Sequence, residues 1–340
     1  MPKAVSYKTI FLGLVVLLLA GMIIDISLGS VKIPFTEVFQ IVTGQGSSKE
    51  TWTHIVLQYR LPKTITAILT GFGLSVSGLL MQTLFRNPLA GPFVLGISSG
   101  ASLGVAILVM GGSIMGFSFL SSSLSIAIGA SIGSFIVLLA ILIVARNIRD
   151  TMALLIIGLM FGSLTSAIVN ILSYFASMEK LQQYVFWNLG SLGNLSWPEV
   201  GLFAAVIFIG IFFTLFTIKG LNALLLGEQY AISMGVSVKK IRLIVMISAS
   251  LLAGSITAFA GPITFIGLAV PHITRLLFKS ANHLILIPAT MLTGSIVMLF
   301  CDSIAQLPGS QFTLPINAIT AIIGSPMVIW LLLRKRKILL

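Results

Sequence analysis

Residues 78–101 read GLLMQTLFRNPLAGPFVLGISSGA. The string leaves an apolar run at Phe85 and passes a polar hinge, Arg86-Asn87-Pro88. It then meets a second breaker at Gly91-Pro92 and begins a new apolar run at Phe93. Proline lacks the amide hydrogen a helix needs and Asn-Pro favours a turn, so the first helix has to end here. Arg86 is costly in hydrocarbon and belongs at an aqueous boundary. Two apolar helices around a hinge with one cation is the pattern of a hairpin in a membrane.

The rest of the chain agrees. Its 340 residues are 57% hydrophobic and only 8% charged, with mean hydropathy +1.11. A water-soluble domain needs far more charged surface. Apolar blocks fall at 9–28, 64–85, 93–110, 121–145, 152–175, 199–218, 241–260, 263–278, 284–300 and 314–333. Most approach the roughly 20 residues that cross a bilayer core. They are continuous rather than alternating, which excludes a β-barrel. The fold class is an all-α polytopic membrane protein with about ten spans, a single domain over 1–340. The first block ends without a small-residue cleavage site and is expected to be a retained span.

A net charge of +12 suggests nucleic acid, but its placement argues otherwise. With a cytoplasmic N-terminus, 15 of the 20 lysines and arginines fall on inside segments. Only Lys32, Lys49, Arg60, Lys63 and Lys180 fall outside. That asymmetry orients membrane proteins, so both termini are expected in the cytoplasm and no nucleic-acid partner is implied. Polar interruptions lie outside at 29–63, 177–198 and 302–313, and inside at 219–242, where glycines and prolines break the helices.

Weak internal similarity links Leu69-Thr70-Gly71 through Pro92 with Leu252-Ala253-Gly254 through Pro271; either a repeat or the glycine content of membrane helices accounts for it. Gly100 and Gly104, Gly129 and Gly133, and Gly158 and Gly162 are each four apart, the spacing that lets helices approach closely within one subunit or between subunits.

Signals for chemistry are missing. No GxxxxGK[ST] string cradles ATP, no HExxH is present, and His54, His272 and His283 are scattered, so neither a catalytic nor a metal site is expected. The single cysteine, Cys301, reads as a small apolar residue. An ion-coupled carrier places ionisable groups in mid-membrane. Only Asp25 and Asp302 approach that depth, both near the outer interface, which makes a secondary transporter the rival reading. Otherwise the driving energy has to come from a partner.

Gly227-Glu228-Gln229-Tyr230-Ala231-Ile232-Ser233-Met234-Gly235-Val236 is a short amphipathic segment beside Lys239, Lys240 and Arg242. Such a helix either docks in a partner's groove or rests on lipid headgroups. Outside, Arg60 and Lys63 stand about one turn apart, either to meet an acidic partner or as a solvated helix end.

The 78–101 string closely resembles the signature of FecCD/BtuC-type permeases. So do Arg60-Leu61-Pro62-Lys63, Gly227-Glu228 with Met234-Gly235, Gly261-Pro262-Ile263-Thr264-Phe265-Ile266-Gly267-Leu268 with Pro271-His272 and Arg275, Leu314-Pro315, and Gly324-Ser325-Pro326. The resemblance implies a type II ABC importer permease, BtuC-like, in the inner membrane. It implies a second permease subunit, as a homodimer or close heterodimer, and two cytoplasmic ATPase subunits that carry ATP and Mg. These would dock on Gly227, Glu228, Tyr230, Ala231, Met234, Gly235 and Val236. An extracytoplasmic binding protein would meet Arg60 and Lys63.

Asn87, Leu89, Thr151 and Met152 match positions of the family's cytoplasmic gate, and Ser75, Ser98 and Ser99 are expected to line the pathway. His272 is expected in a structural motif rather than on a metal. The cargo class is a metal chelate, with ferric siderophore first on family frequency and haem and cobalamin beside it. The family often has arginine where Gln306 stands, an acid at Thr313, and Asp-His-Arg where this chain has Asn282-His283-Leu284.

Overall fold

The computed structural model describes residues 6–111, 123–145, 148, 151–306 and 312–336. Lys3, Arg146, Arg149 and Lys337, counted above as inside charges, lie outside the described residues. Among the described residues fifteen α-helices run in chain order. They are α1 Tyr7–Ser27, α2 Phe35–Val42, α3 Glu50–Ile55, α4 Leu61–Leu84 and α5 Ile97–Ala106. Next come α6 Ser123–Ala145, α7 Thr151–Phe175, α8 Met178–Leu189, α9 Trp197–Leu215 and α10 Ile218–Leu225. The last five are α11 Glu228–Ser233, α12 Val238–Ala260, α13 Ile266–Phe278, α14 His283–Ala305 and α15 Ile316–Arg336.

Among the described residues seven helices have the length and apolarity of a membrane span, and three shorter apolar helices, Ile97–Gly111, Ile266–Phe278 and Ile316–Trp330, accompany them. Together they match the ten apolar blocks. Two outer interruptions contain helices that glycine and proline counts concealed. A π-helical turn at Val56–Arg60 joins α3 to α4, so one continuous helix, Glu50–Leu84, replaces the span expected from residue 64. The 12-residue α8 occupies most of the loop expected at 177–198.

Helix α4 forms the axis of the bundle, packed by α14, α12, α13 and α9. It buries large side chains such as Leu74, Leu79, Leu80 and Met81, and its glycines allow close approach of neighbouring backbones. A Cβ on Gly71 would strike the Gly294 carbonyl, and one on Gly78 would strike that of Gly267. Several buried hydroxyls find acceptors: Ser77 donates to Ala249 O at 2.9 Å, Thr66 to Pro62 O and Thr83 to Leu79 O, while the buried Thr70 hydroxyl has none. The glycine pairs of α5 and α6 face each other within the subunit, where a Cβ on Gly100 would lie 2.6 Å from the Gly133 carbonyl oxygen.

The weak repeat has a physical form. In each half a long helix is followed by a Gly-Pro segment, directly after α12 and seven residues after α4, that precedes a short helix. Gly91-Pro92 leads to α5, and Gly261-Pro262 leads to α13. Ile97 starts beside Gly254, inside α12 rather than at its end, and Gly267 starts beside Gly78, inside α4. Because α4 and α12 run in opposite directions, the two units are inverted. Starting inside the bundle accords with the short helices, since even the residues of Ile97–Gly111 rise only about 22 Å against a core of about 30 Å.

Irregular backbone at that depth requires protein partners. Asn317 Oδ1 accepts from the Thr264 amide and hydroxyl at 3.3 and 2.9 Å, and Ser191 N donates to Ala260 O at 3.0 Å.

Candidate functional site

The hinge is built by its own sequence. After Leu84 the chain turns at Arg86, whose φ of 47° is left-handed and uncommon for a residue with a side chain. Asn87 Oδ1 accepts from Leu89 N at 2.9 Å, an Asx turn ahead of Ala90. Three neighbours hold the loop. Arg86 donates to Leu224 O at 2.7 Å at the C-terminal end of α10, where free carbonyls and the helix dipole favour a cation. His272 Nε2 meets Pro88 O at 2.9 Å, the structural role expected for it. Gln82 donates to Leu268 O at 3.0 Å and accepts from Arg275 at 2.7 Å. Of the residues expected at a gate, Leu89 and Met152 are exposed and Asn87 is half-buried. Thr151 begins α7, and its side chain lies outside the described residues.

Beside the hinge, α10 and α11 form a short arm. Gly235, at φ 78°, ends α11 in a Schellman turn in which Val236 N donates to Ala231 O at 3.0 Å and Gly235 N to Ile232 O at 2.9 Å. Gly227 starts α11 at φ 125°. Ala231, Val236, Ala223, Leu224 and Val238 pack into a small apolar centre of the arm. Glu228 pairs with Arg242 at 3.7 Å, tying the arm to α12. What remains outward is Tyr230, 50% exposed, with Ile232 and Met234. The segment expected to dock therefore divides. Ala231 and Val236 face their own subunit, because a six-residue helix needs an apolar contact to persist, and the outward face passes to Tyr230, Ile232 and Met234.

At the opposite end of the bundle, Arg60 and Lys63 are not the free cations expected. Arg60 is only 8% exposed. Its guanidinium donates to the carbonyls of Ile26, at 2.9 Å, Ser27, at 3.0 Å, and Val31. The chain leaving α1 passes over the side chain and ends on it. Lys63 pairs with Asp302 at 3.0 Å, with its side chain 20% exposed. Asp302 and Asp25 are buried together. Thr64 donates to Asp25 at 2.6 Å, and Gln306 donates to Asp25 at 2.9 Å and to Asp302 at 3.1 Å. Gln306, read as a missing outer cation, thus serves two buried carboxylates and joins α1 to α14, while Thr64 and Lys63 tie the same pair to α4.

Ser75 corrects the third expectation. It is fully buried between α4 and α14, donates to Gly71 O and lines no path in this subunit. Ser98 sits 3.1 Å from the Thr257 hydroxyl. Ser99 opens onto a groove between α5 and α7 together with Gly96, Gly162, Ser163, Ser166 and Asn170. Among the described residues no three His, Cys, Asp or Glu side chains gather as metal ligands. Sequence reasoning missed the bonds of Gln82, Thr83, Arg86 and Asn222. The available signal was four polar side chains in or beside apolar helices, where each needs a partner.

Comparison with known proteins follows the same lines. The profile described as "FecCD transport family" matches residues 17–334. The hemin transport system permease protein HmuU of Yersinia pestis is 33% identical over 332 residues, 96% of each chain. The vitamin B12 import system permease protein BtuC of Klebsiella pneumoniae is 35% identical over 326 residues, 95% of this chain and 93% of that one. A solved structure ascribed to a metal-chelate type ABC transporter, in an inward-facing conformation, superposes with TM-score 0.83 at 30% identity, covering 96% of this chain and 99% of that one.

Proposed function

The chain belongs to the FecCD transport family, and on that premise we propose that it is the membrane permease subunit of a binding-protein-dependent ABC importer that moves a metal chelate into the cytoplasm. The observation that carries the reading is the arm α10–α11. It stands beside the hinge and presents Tyr230, Ile232 and Met234 outward. Exposed aromatic, aliphatic and thioether groups on a short helix suit a groove of a partner subunit, and Tyr is among the residues that dominate such contacts. The chain itself has no phosphate-binding glycine loop, so ATP and Mg belong to that partner.

In this reading the arm and hinge face the cytoplasm, and Asn87, Leu89, Thr151 and Met152 form a gate beside them. A second permease subunit, most simply another copy, covers the groove at Ser99, and Ser98 and Ser99 supply weakly polar walls to the pathway. The family places a binding protein at the far end. With Arg60 and Lys63 engaged inside the subunit, its contacts fall on other residues there. Relatives named for hemin and for vitamin B12 support haem and cobalamin as well as ferric siderophore as cargo.

The test is capture of the cognate ATPase by this chain in detergent. Met234→Asp with Tyr230→Asp is expected to weaken capture about 30-fold, as loss of about 2 kcal/mol at an interface centre would. Unchanged capture by a folded double variant would remove the arm from the interface.

A further inference from the structure

The arm reaches the hinge by a second route, through side chains that no transport role has yet absorbed. Asn222 lies in α10. Its Nδ2 donates to Asn282 Oδ1 at 2.9 Å, and that oxygen also accepts from Leu284 N at 3.0 Å as the cap of α14. With Nδ2 fixed as the donor, Asn222 Oδ1 is the acceptor for His283, from its backbone N at 2.9 Å and from Nδ1 at 2.7 Å. The proton of the imidazole is therefore on Nδ1. Nε2 keeps its lone pair and faces the Thr83 hydroxyl at 2.9 Å. His283 is 1% exposed, so this neutral ring has no water to fall back on.

Thr83 has an alternative. Its hydroxyl also lies 2.9 Å from Leu79 O in its own helix, and it has one proton to give. The hydroxyl joins α4 to His283 in one rotamer and is satisfied within α4 in the other. A joint of that kind opens without stranding the hydroxyl. Thr83 is three residues before Arg86, which is itself bonded to Leu224 of α10. One arm thus grips the same hinge at two points, one fixed and one releasable.

We infer that the Asn222–His283–Thr83 chain transmits displacement of the arm to the hinge, with Thr83 as its releasable joint. The inference rests on the proposed importer reading, in which a nucleotide-driven partner moves the arm. These are positioning residues, since none touches cargo or nucleotide. Contiguity becomes coupling only when the state of one end changes the other, so the test reads both ends.

A Leu89→Cys reporter is placed on the hinge loop; the native Cys301 is buried and shielded from maleimide. The permease–ATPase complex in nanodiscs is labelled without nucleotide and after trapping with MgATP and orthovanadate. In the parent the labelling rate should change at least about fivefold between the two states, the lower end of typical coupling between sites. Thr83→Val and Asn222→Leu should each trap as much nucleotide as the parent while the two rates come together. Thr83→Ser, which keeps the hydroxyl, should restore the change.

A full rate change in both Thr83→Val and Asn222→Leu would overturn the inference, leaving the chain a static clamp. Loss of nucleotide trapping would also overturn it, since the substitutions would then act on docking. A parent that neither binds the ATPase nor responds to nucleotide would instead remove the importer reading, and the inference with it.

Discussion

Arg60→Met tests the reassignment of Arg60 from a partner-facing cation to an internal clasp. The substitution keeps much of the side-chain volume and removes the guanidinium. Left behind are the carbonyls of Ile26, Ser27 and Val31, two of them bonded at 2.9 and 3.0 Å. Hydrogen bonds to a charged group contribute about 1.5–3 kcal/mol each, and they share one donor group, so their loss is not a simple sum. A total of about 3–5 kcal/mol is reasonable, the range for breaking a buried charged contact. At about 2.1 cal/mol/K per residue, 340 residues unfold with about 0.7 kcal/mol/K, so the midpoint should fall by about 4–7 °C. Fluorescence-detected size exclusion after heating measures it. A solvated cation gives a change within about 0.5 kcal/mol, under about 1 °C. An unchanged midpoint with lost binding-protein capture would refute the clasp and restore a docking role.

Three further outcomes are expected. Lys63→Met should destabilise by about 3 kcal/mol by leaving Asp302 buried without its cation, and adding Asp302→Leu should recover part of that, because an apolar pair often replaces a buried ion pair at little cost; a double variant worse than the single in the same melting assay would contradict this. Gly104→Val should lower the melting midpoint by more than a typical overpacking change of about 1–3 kcal/mol, since the Gly129 backbone blocks its Cβ, while Gly201→Val, with open space around it, should melt close to the parent. Replacing Gly235 by Trp imposes a left-handed backbone that costs about 1–2 kcal/mol, so ATPase capture should fall even though nothing lies within 4 Å of the added Cβ.

The residues that made the fold legible were breakers and apolar runs. Asn87-Pro88 and Gly91-Pro92 interrupt helices through the backbone, a local property visible in any context. The ten apolar blocks reappear as ten helices for the same reason. The start of α5 and α13 inside the bundle was not legible, because a short apolar run reads alike whether it begins at an interface or among other helices. Side-chain destinations were least legible. Arg60 looked free because its acceptors, about 30 residues earlier, reach it only after α1 and the following turn have packed. Ser75 looked like pathway lining because a small hydroxyl serves equally in a pore wall and in a helix contact, and Gly294 decides between them. Ala231 and Tyr230 are adjacent in one segment expected to dock, yet helix geometry sends one inward and the other out.

Uptake into proteoliposomes containing this chain, its ATPase and its binding protein tests the central claim most directly. Haemin, cyanocobalamin and a ferric hydroxamate siderophore serve as separate probes, each with and without ATP on the side of the arm. Accumulation of at least one probe is expected only with ATP, to be blocked by orthovanadate and to be indifferent to a protonophore. Accumulation driven by a proton gradient in liposomes holding this chain alone would contradict the account and identify a secondary carrier.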